Sequence, residues 1–489
     1  VSENARRDGR PAWVDGVGVA AAMVAVAVLA SRGVAWDEPL GQDANRYLKN
    51  AVAMAGGDWA HYHGWRGPLH AAAVLTVARG AGLIAASKAV SLAASVALVP
   101  VTWAVGWATV GRRAALGGVA LLACWPDLWW TAGFSTPYPL LTLGVAALVG
   151  AAAVGAEDNR WAPVIAGLAA AAVLTDLRAQ AIALALGVVA AAQGRRGVWV
   201  ALLAGVAAAR LGLAVSPVPM APLGEQIREH MAVIAEVPGC RAAADGAWTA
   251  LVGRCGASLI LDNLARAQTR TPLPVAVWVG LAIFGVSLRP RAAAWLAAPV
   301  AVAAVAFIGT RAELRYVQTV LPLGFLLVAA GLIGEGEPTG TSGRLAVAVR
   351  SWAVVALCAA MIAWPGSLWA RAHAFRAPSG TPDAALGRFI VPAGEALPFT
   401  RAARVIAAAP VGDRVIDCAT ADLAMRLYPR PVHSPGHAGR LSATCRRWLA
   451  EGPTPGPPAW LLIRDEGPRW AGWGAVWRDD GWVVVRGAR

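Results

Sequence analysis

Lysine is almost missing from this chain of 489 residues. Lys49 and Lys88 are the only two, and arginine supplies the rest of the 43 basic side chains. Charge of both signs is scarce. Only 15% of residues are charged, against roughly 25% in an ordinary soluble protein. That shortage argues against a soluble fold of this length. Gly-rich phosphate loops are absent, which argues against a nucleotide-binding enzyme. No internal repeat, no Cys/His spacing of a zinc site and no basic run interleaved with aromatics occurs. A nucleic acid partner is therefore not expected, although the formal net charge is +14.

What is present is apolar: 57% of residues are hydrophobic. Eleven apolar segments recur, at about 15–35, 85–110, 114–130, 135–155, 161–174, 178–193, 198–214, 272–288, 292–309, 318–334 and 345–365. Their lengths approach the roughly 20 residues that span a bilayer as helix. Backbone polar groups in lipid must be satisfied locally, so the spans must be helices. The expected fold is a polytopic α-helical membrane protein of about eleven spans. Arginines then orient it. Arg6, Arg7 and Arg10, Arg112 with Arg113, Arg160, Arg195 with Arg196, Arg289 with Arg291, and Arg344 all fall on one side. Positive loops mark the cytoplasmic face, so the N-terminus is expected inside. No small-residue cleavage site follows the first span, so it reads as uncleaved.

The long segments fall outside: loops 36–84 and 215–271, and the tail from 366 to 489. Residues 1–365 read as the membrane domain, and 366–489 as a small extracytoplasmic α/β domain. Arg414–Cys418, Trp460–Arg464 and Trp482–Arg486 have strand character, and Ala419–Leu427 that of a short helix. Cys240 and Cys255 share one outer loop, and Cys418 and Cys445 share the tail. Paired cysteines on an oxidising side predict two disulfides. Tryptophan is abundant, at 23 residues. Trp125, Trp129 and Trp130 suit a membrane interface, where a half-buried ring keeps its N–H wet. Lys88, near the outer end of the second span, reads as a snorkelling side chain, with a phosphate contact as the lesser alternative.

An acidic and aromatic segment follows the first span: Trp36-Asp37-Glu38, Asp43-Ala44-Asn45-Arg46-Tyr47, Gly57-Asp58-Trp59 and Arg66-Gly67-Pro68-Leu69. Carboxylates beside lipid are costly unless they bind or react. The spacing predicts a helix over 43–56, with Asp43, Arg46 and Tyr47 on one face and Asn50 continuing it. Asp58, His61 and His63 could hold a metal. Isolated surface histidines are the commoner case, and a divalent metal has no further support.

This segment resembles the first outer loop of GT-C fold glycosyltransferases, such as protein O-mannosyltransferases and lipid A aminoarabinose transferases. The shared pattern is Asp-x-x-Arg-Tyr, then Gly-Asp-Trp, then a basic residue before Pro-Leu. A second stretch, Glu313-Leu314-Arg315-Tyr316 before Leu321-Pro322, is similar to a late Arg-Tyr…Pro motif of the same family. The resemblance implies a polyprenyl-phosphate sugar donor, no soluble cofactor, and a lipid, glycan or protein acceptor at the outer face of the inner membrane. It implies Asp43 as the base for the acceptor hydroxyl. It also implies Arg66, and secondarily Arg315, at the lipid phosphate, with Arg46, Tyr47 and Tyr316 lining the substrate site.

The chain departs from the family where two adjacent acids often stand, because Ala44 follows Asp43. Asp37-Glu38 lies six residues earlier and becomes the catalytic pair if the register slips. Some members carry a second acid before a proline at the fourth span. Here Thr136-Pro137 occupies that place, leaving Asp127 or Asp176 to supply it. Asp176 and Arg178 either bind substrate or cap helices and meet each other. Two other classes fit the composition: a lipid-linked glycan polymerase or ligase, and a membrane transporter. The first would carry its key arginines in one late loop. The second would show mid-span charges or repeated halves.

Overall fold

The computed structural model describes residues 12–32, 44–59, 62, 64, 67–219, 240, 254–268, 271–309, 318–334, 340–365, 398–410, 412–418, 427, 432, 459–464, 473–479 and 482–487. Apolar sequence becomes helix throughout. The helices are α1 (Ala12–Arg32), α2 (Ala44–Gly56), α3 (Pro68–Ala81), α4 (Leu83–Thr109), α5 (Arg112–Ala123), α6 (Pro126–Ala132), α7 (Tyr138–Gly155), α8 (Ala162–Thr175), α9 (Ala179–Ala192) and α10 (Arg196–Val215). Then come α11 (Arg254–Gln268), α12 (Val275–Leu288), α13 (Pro290–Gly309), α14 (Leu321–Ile333), α15 (Gly340–Ala363) and α16 (Pro398–Ala407).

All eleven expected segments are helical. The third is broken: α5 stops at Cys124, and Pro126 restarts the chain as α6. Proline suits the first turn of a helix, where its missing N–H costs nothing. Among the described residues, five helices are long and apolar enough to cross a membrane: α1, α4, α7, α10 and α15. Shorter apolar stretches lie at Ala179–Ala192, Val275–Leu288, Pro290–Val305 and Leu321–Ile333, so the number of crossings rests on the sequence pattern.

The longest helix, α4, is the axis of the bundle and packs against α1, α3, α5 and α7. Its inner stripe is polar. Lys88, Ser91, Ser95, Thr102 and Thr109 recur at helical spacing and are all buried. Small hydroxyl residues let membrane helices approach closely. The bulk of the core is Val, Leu and Ala from α4, α5, α7, α8, α9, α10 and α14. At the end of the bundle away from α2 and α3, Asp15 of α1 and Arg112 of α5 form a buried ion pair. Arg112 is thus a packing partner as well as a topology signal.

The tail contains a four-stranded sheet of β1 (Arg414–Asp417), β2 (Ala459–Arg464), β3 (Trp473–Asp479) and β4 (Trp482–Gly487), in the order β1-β2-β4-β3. β1 runs parallel to β2, and the other pairs are antiparallel. Side chains alternate. Val415, Trp460, Leu462 and Val484 meet Ala402 and Ile406 of α16, while Ile416, Leu461, Ile463, Val483 and Val485 form a second buried cluster on the other face. The three expected strands are present. β3 and α16 were not legible, because β3 is an edge strand with Val476 exposed and carries no clean apolar alternation. The expected helix at 419–427 lies almost wholly outside the described residues.

Cys240 and Cys255 are bridged, as their shared loop predicted. Cys418 is also disulfide-bonded, and Cys445 lies outside the described residues. Trp125, Trp129 and Trp130 correct the interface reading. All are buried inside the bundle, and the Trp129 Nε1–H donates to the Ala123 carbonyl at 2.8 Å. The fold needs them as core because the α5–α6 break turns them inward. Among the described residues, Trp13, Trp161, Trp199 and Trp352 are the exposed tryptophans.

Candidate functional site

α2, α3 and the ends of α4, α6, α7 and α8 meet at one end of the bundle. α2 forms where expected. It ends at Gly57, whose φ of 65° is the left-handed conformation that a side chain disfavours. The amides of Gly57 and Asp58 then donate to the Met54 and Ala53 carbonyls, at 3.4 and 2.9 Å. Such bonds satisfy the orphan carbonyls of a helix end. The Gly-Asp-Trp motif is therefore, first, a helix stop.

Tyr47 is the best-placed of the expected site residues. It is buried, and its hydroxyl bonds the Tyr138 hydroxyl at 3.0 Å. Its ring meets His70 and Tyr138 edge-on, at 5.9 and 6.2 Å between centroids. Asn50 lies one turn further along the buried face of α2 and hydrogen-bonds Tyr62. Burial pushes the Tyr62 phenol above its ordinary range. Asp37, Glu38, Asp43, Arg66, Arg315 and Tyr316 lie outside the described residues, as do His61 and His63. Arg46 belongs to α2, but its side chain is not described.

The flanks of those residues are described. Gly67 presses on α8: a Cβ there would stand 1.9 Å from the Leu174 carbonyl oxygen. The motif Arg66-Gly67-Pro68-Leu69 is thus anchored by its glycine to α8, and its proline starts α3. Gly67, His70 and Ala71 line a narrow crevice with Tyr47, Asn50, Pro137 and Thr175. Gln318, two residues after Tyr316, donates its Nε2–H to Thr131 Oγ1 of α6 at 2.8 Å. Gln318 is thereby held against α6 at the same end of the bundle.

Asp176 and Arg178 meet each other. The Arg178 Nε–H and Nη2–H donate to the two Asp176 oxygens, at 2.9 and 2.5 Å, and the Arg178 amide adds a third bond at 3.0 Å. The guanidinium also lies 5.6 Å from the Tyr138 ring centre. This pair buttresses Tyr138, which in turn holds Tyr47. Arg178 keeps 39% of its side chain exposed, so a charged face stays open beside the crevice.

His70 escaped the sequence reading, as did the burial of Asp127 and Lys88. His70 is buried, and its Nε2 has no hydrogen-bond partner. Burial alone pushes its pKa down to about 4, so the imidazole is neutral at pH 7. Asp127, one of the two candidate second acids, is fully buried in α6. Lys88 is fully buried, so it does not snorkel. A lone His, Asp or Lys in an apolar run gives no local signal of this convergence. Among the described residues, no three His, Cys, Asp or Glu side chains converge as a metal site.

No protein-family model and no characterised sequence matches the chain. Solved structures do. ArnT from Cupriavidus metallidurans in the apo state superposes with a TM-score of 0.58 at 16% identity, over 97% of this chain and 97% of that one. The same protein bound to undecaprenyl phosphate gives 0.56 at 16%, over 97% and 98%. Archaeal oligosaccharyltransferase AglB from Archaeoglobus fulgidus, in complex with an inhibitory peptide and a dolichol-phosphate, gives 0.52 at 14%, over 88% and 66%. These are glycosyltransferases of the GT-C fold, and the chain shares that fold.

Proposed function

On that fold, we propose that the chain is a membrane glycosyltransferase moving a sugar from a polyprenyl-phosphate donor to a lipid, glycan or protein acceptor. The observation that carries this reading is the seating of the first-loop motif. Tyr47 locks onto Tyr138, and Gly67 onto the α8 backbone, at a polar end of an apolar bundle. Asp43 and Arg66 adjoin those two anchors in the chain.

Asp43 is the general base. It takes the acceptor hydroxyl proton as the oxygen attacks the anomeric carbon. The bond from that carbon to the phosphate oxygen breaks, and polyprenyl phosphate leaves with the electron pair. Arg66 stabilises the phosphate, with Arg315 second, because a guanidinium fork matches phosphate oxygens. Arg46 and Tyr316 line the substrate site. Asp176 and Arg178 hold the Tyr138–Tyr47 wall of it. The site faces outward in the cytoplasmic membrane, with the N-terminus inside, residues 1–365 as the membrane domain and residues 366–489 as an outer α/β domain. Asp37-Glu38 supports the loop and is the alternative acidic pair.

The test is mass spectrometry of envelope lipids and glycans in a deletion strain complemented with variants. Asp43→Asn is expected to abolish the sugar transfer restored by the wild-type chain, with the protein still inserted and folded. Full transfer by Asp43→Asn would refute the role of Asp43. Loss in Asp37→Asn alone would move the base to the earlier pair.

A further inference from the structure

We propose that Cys124 and Cys358 form an oxidisable dithiol, which hydrogen peroxide closes to a disulfide tying the peripheral helix α15 to the break between α5 and α6. This modification site stands apart from the transferase reading above.

Among the described residues, Cys124 and Cys358 are the free cysteines. Cys124 directly follows α5, where the chain breaks before Pro126. Cys358 lies in the last two turns of α15. The fold brings the two together, and their side chains hydrogen-bond each other. Val354, Leu357, Cys358 and Met361 form the buried stripe of α15, at helical spacing. Cys358 sits within that stripe, in one apolar cluster with Leu121 and Leu122 of α5, and Cys124 packs against the same cluster. The thiol contact therefore faces the bundle interior and not lipid.

Position gives the pair its use. Among the described residues, α15 packs chiefly on α5 and α14. Its other side is open, with Leu345, Val349, Trp352, Val355 and Ile362 exposed. Cys124 adjoins Trp125, whose ring meets Phe325 of α14 at 5.9 Å. A Cys124–Cys358 bond would fix α15 to the root of α6, the helix that holds Gln318. The chemistry balances. Cys358 is buried and Cys124 is partly exposed, so a small uncharged oxidant meets Cys124 first. The Cys124 thiolate attacks one peroxide oxygen, the O–O bond breaks, and hydroxide leaves a sulfenic acid behind. The Cys358 sulfur then attacks the sulfenic sulfur. The S–S bond forms, the S–O bond breaks, and the oxygen departs as water with the Cys358 proton. The Cys124 proton goes to the hydroxide. Two thiols and one peroxide thus give one disulfide and two waters. Thiols already in contact need only a short approach to reach the bond length of about 2.05 Å.

The experiment uses the full chain in lipid nanodiscs. The protein is treated with hydrogen peroxide, unfolded, alkylated with N-ethylmaleimide, digested and mapped by mass spectrometry. Treated wild type is expected to yield a linked Cys124–Cys358 peptide, with both thiols lost to the alkylating reagent and regained on reduction. Peroxide is also expected to raise the thermal unfolding temperature of wild type, since a cross-link restricts the unfolded chain. It should leave that temperature unchanged in Cys124→Ser and in Cys358→Ser. The linked peptide is read in wild type, so it decides the matter if a variant does not fold. Full alkylation of both thiols after peroxide, or their separate oxidation to sulfinic acids, overturns the dithiol. A linked peptide without a rise in unfolding temperature overturns the tie to α15.

Discussion

Gly67→Ala is the sharpest available perturbation of the site. Gly67 has an ordinary φ of −66°, so alanine costs nothing in backbone conformation. The cost is steric. The new Cβ would lie 1.9 Å from the Leu174 oxygen and 2.4 Å from its carbonyl carbon. Both are backbone atoms of α8 and cannot rotate away. Restoring ordinary contact at 3.4 Å needs the 66–69 segment and α8 to part by about 1.5 Å. Overpacking of this kind costs about 1–3 kcal/mol. Misplacing a substrate-positioning group by about 1 Å can cost on the order of 100-fold in rate, and Arg66 is the adjoining residue. Gly80→Ala in α3 is the control: nothing lies within 4 Å of its Cβ, and alanine in a helix is favoured by about 0.5–1 kcal/mol. The assay is thermal unfolding in nanodiscs together with undecaprenyl phosphate affinity. Gly67→Ala should lower both, and Gly80→Ala should leave affinity unchanged and raise stability slightly. Wild-type stability and affinity in Gly67→Ala would refute the anchoring of the motif on α8.

His70 predicts acid sensitivity. Its pKa in the folded chain is about 4, below the ordinary 6.5, so the unfolded chain binds the proton first. Stability is then complete above about pH 6.5 and falls by about 3 kcal/mol as the pH drops toward 4. Comparing the pH dependence of thermal unfolding in wild type and His70→Gln checks this. An unchanged slope in the variant would contradict the burial argument. Arg112→Met should cost about 3–5 kcal/mol, because it strands the buried Asp15 carboxylate. Adding Asp15→Leu should recover most of that loss, and a double variant as unstable as Arg112→Met would count against the pair.

Periodicity and composition sufficed for the elements that obey them. The apolar runs became helices because a continuous apolar stretch of about 20 residues satisfies its own backbone in lipid as a helix. The helix over α2 followed from its spacing, and the Cys240–Cys255 bridge from two cysteines in one loop. Strands β1, β2 and β4 were legible as short apolar runs. The likeness of Asp43–Tyr47 and Arg66–Leu69 to a GT-C first loop was also legible, and the shared fold agrees with it.

The site was legible only as a list of neighbours along the chain. Sequence spacing set Tyr47 on a helix face but not against Tyr138, which is 91 residues away. It left Asp176 and Arg178 open between substrate binding and mutual pairing, and the fold closes them on each other. It read Lys88 and the tryptophans at 125, 129 and 130 as interfacial, because hydropathy records how apolar a segment is and not which neighbour covers it. The covalent order of the residues determined which segments enter the membrane. Only the packing of α2, α3 and α8 around the end of α4 decided which polar groups meet there, since burial and pairing are properties of the assembled bundle.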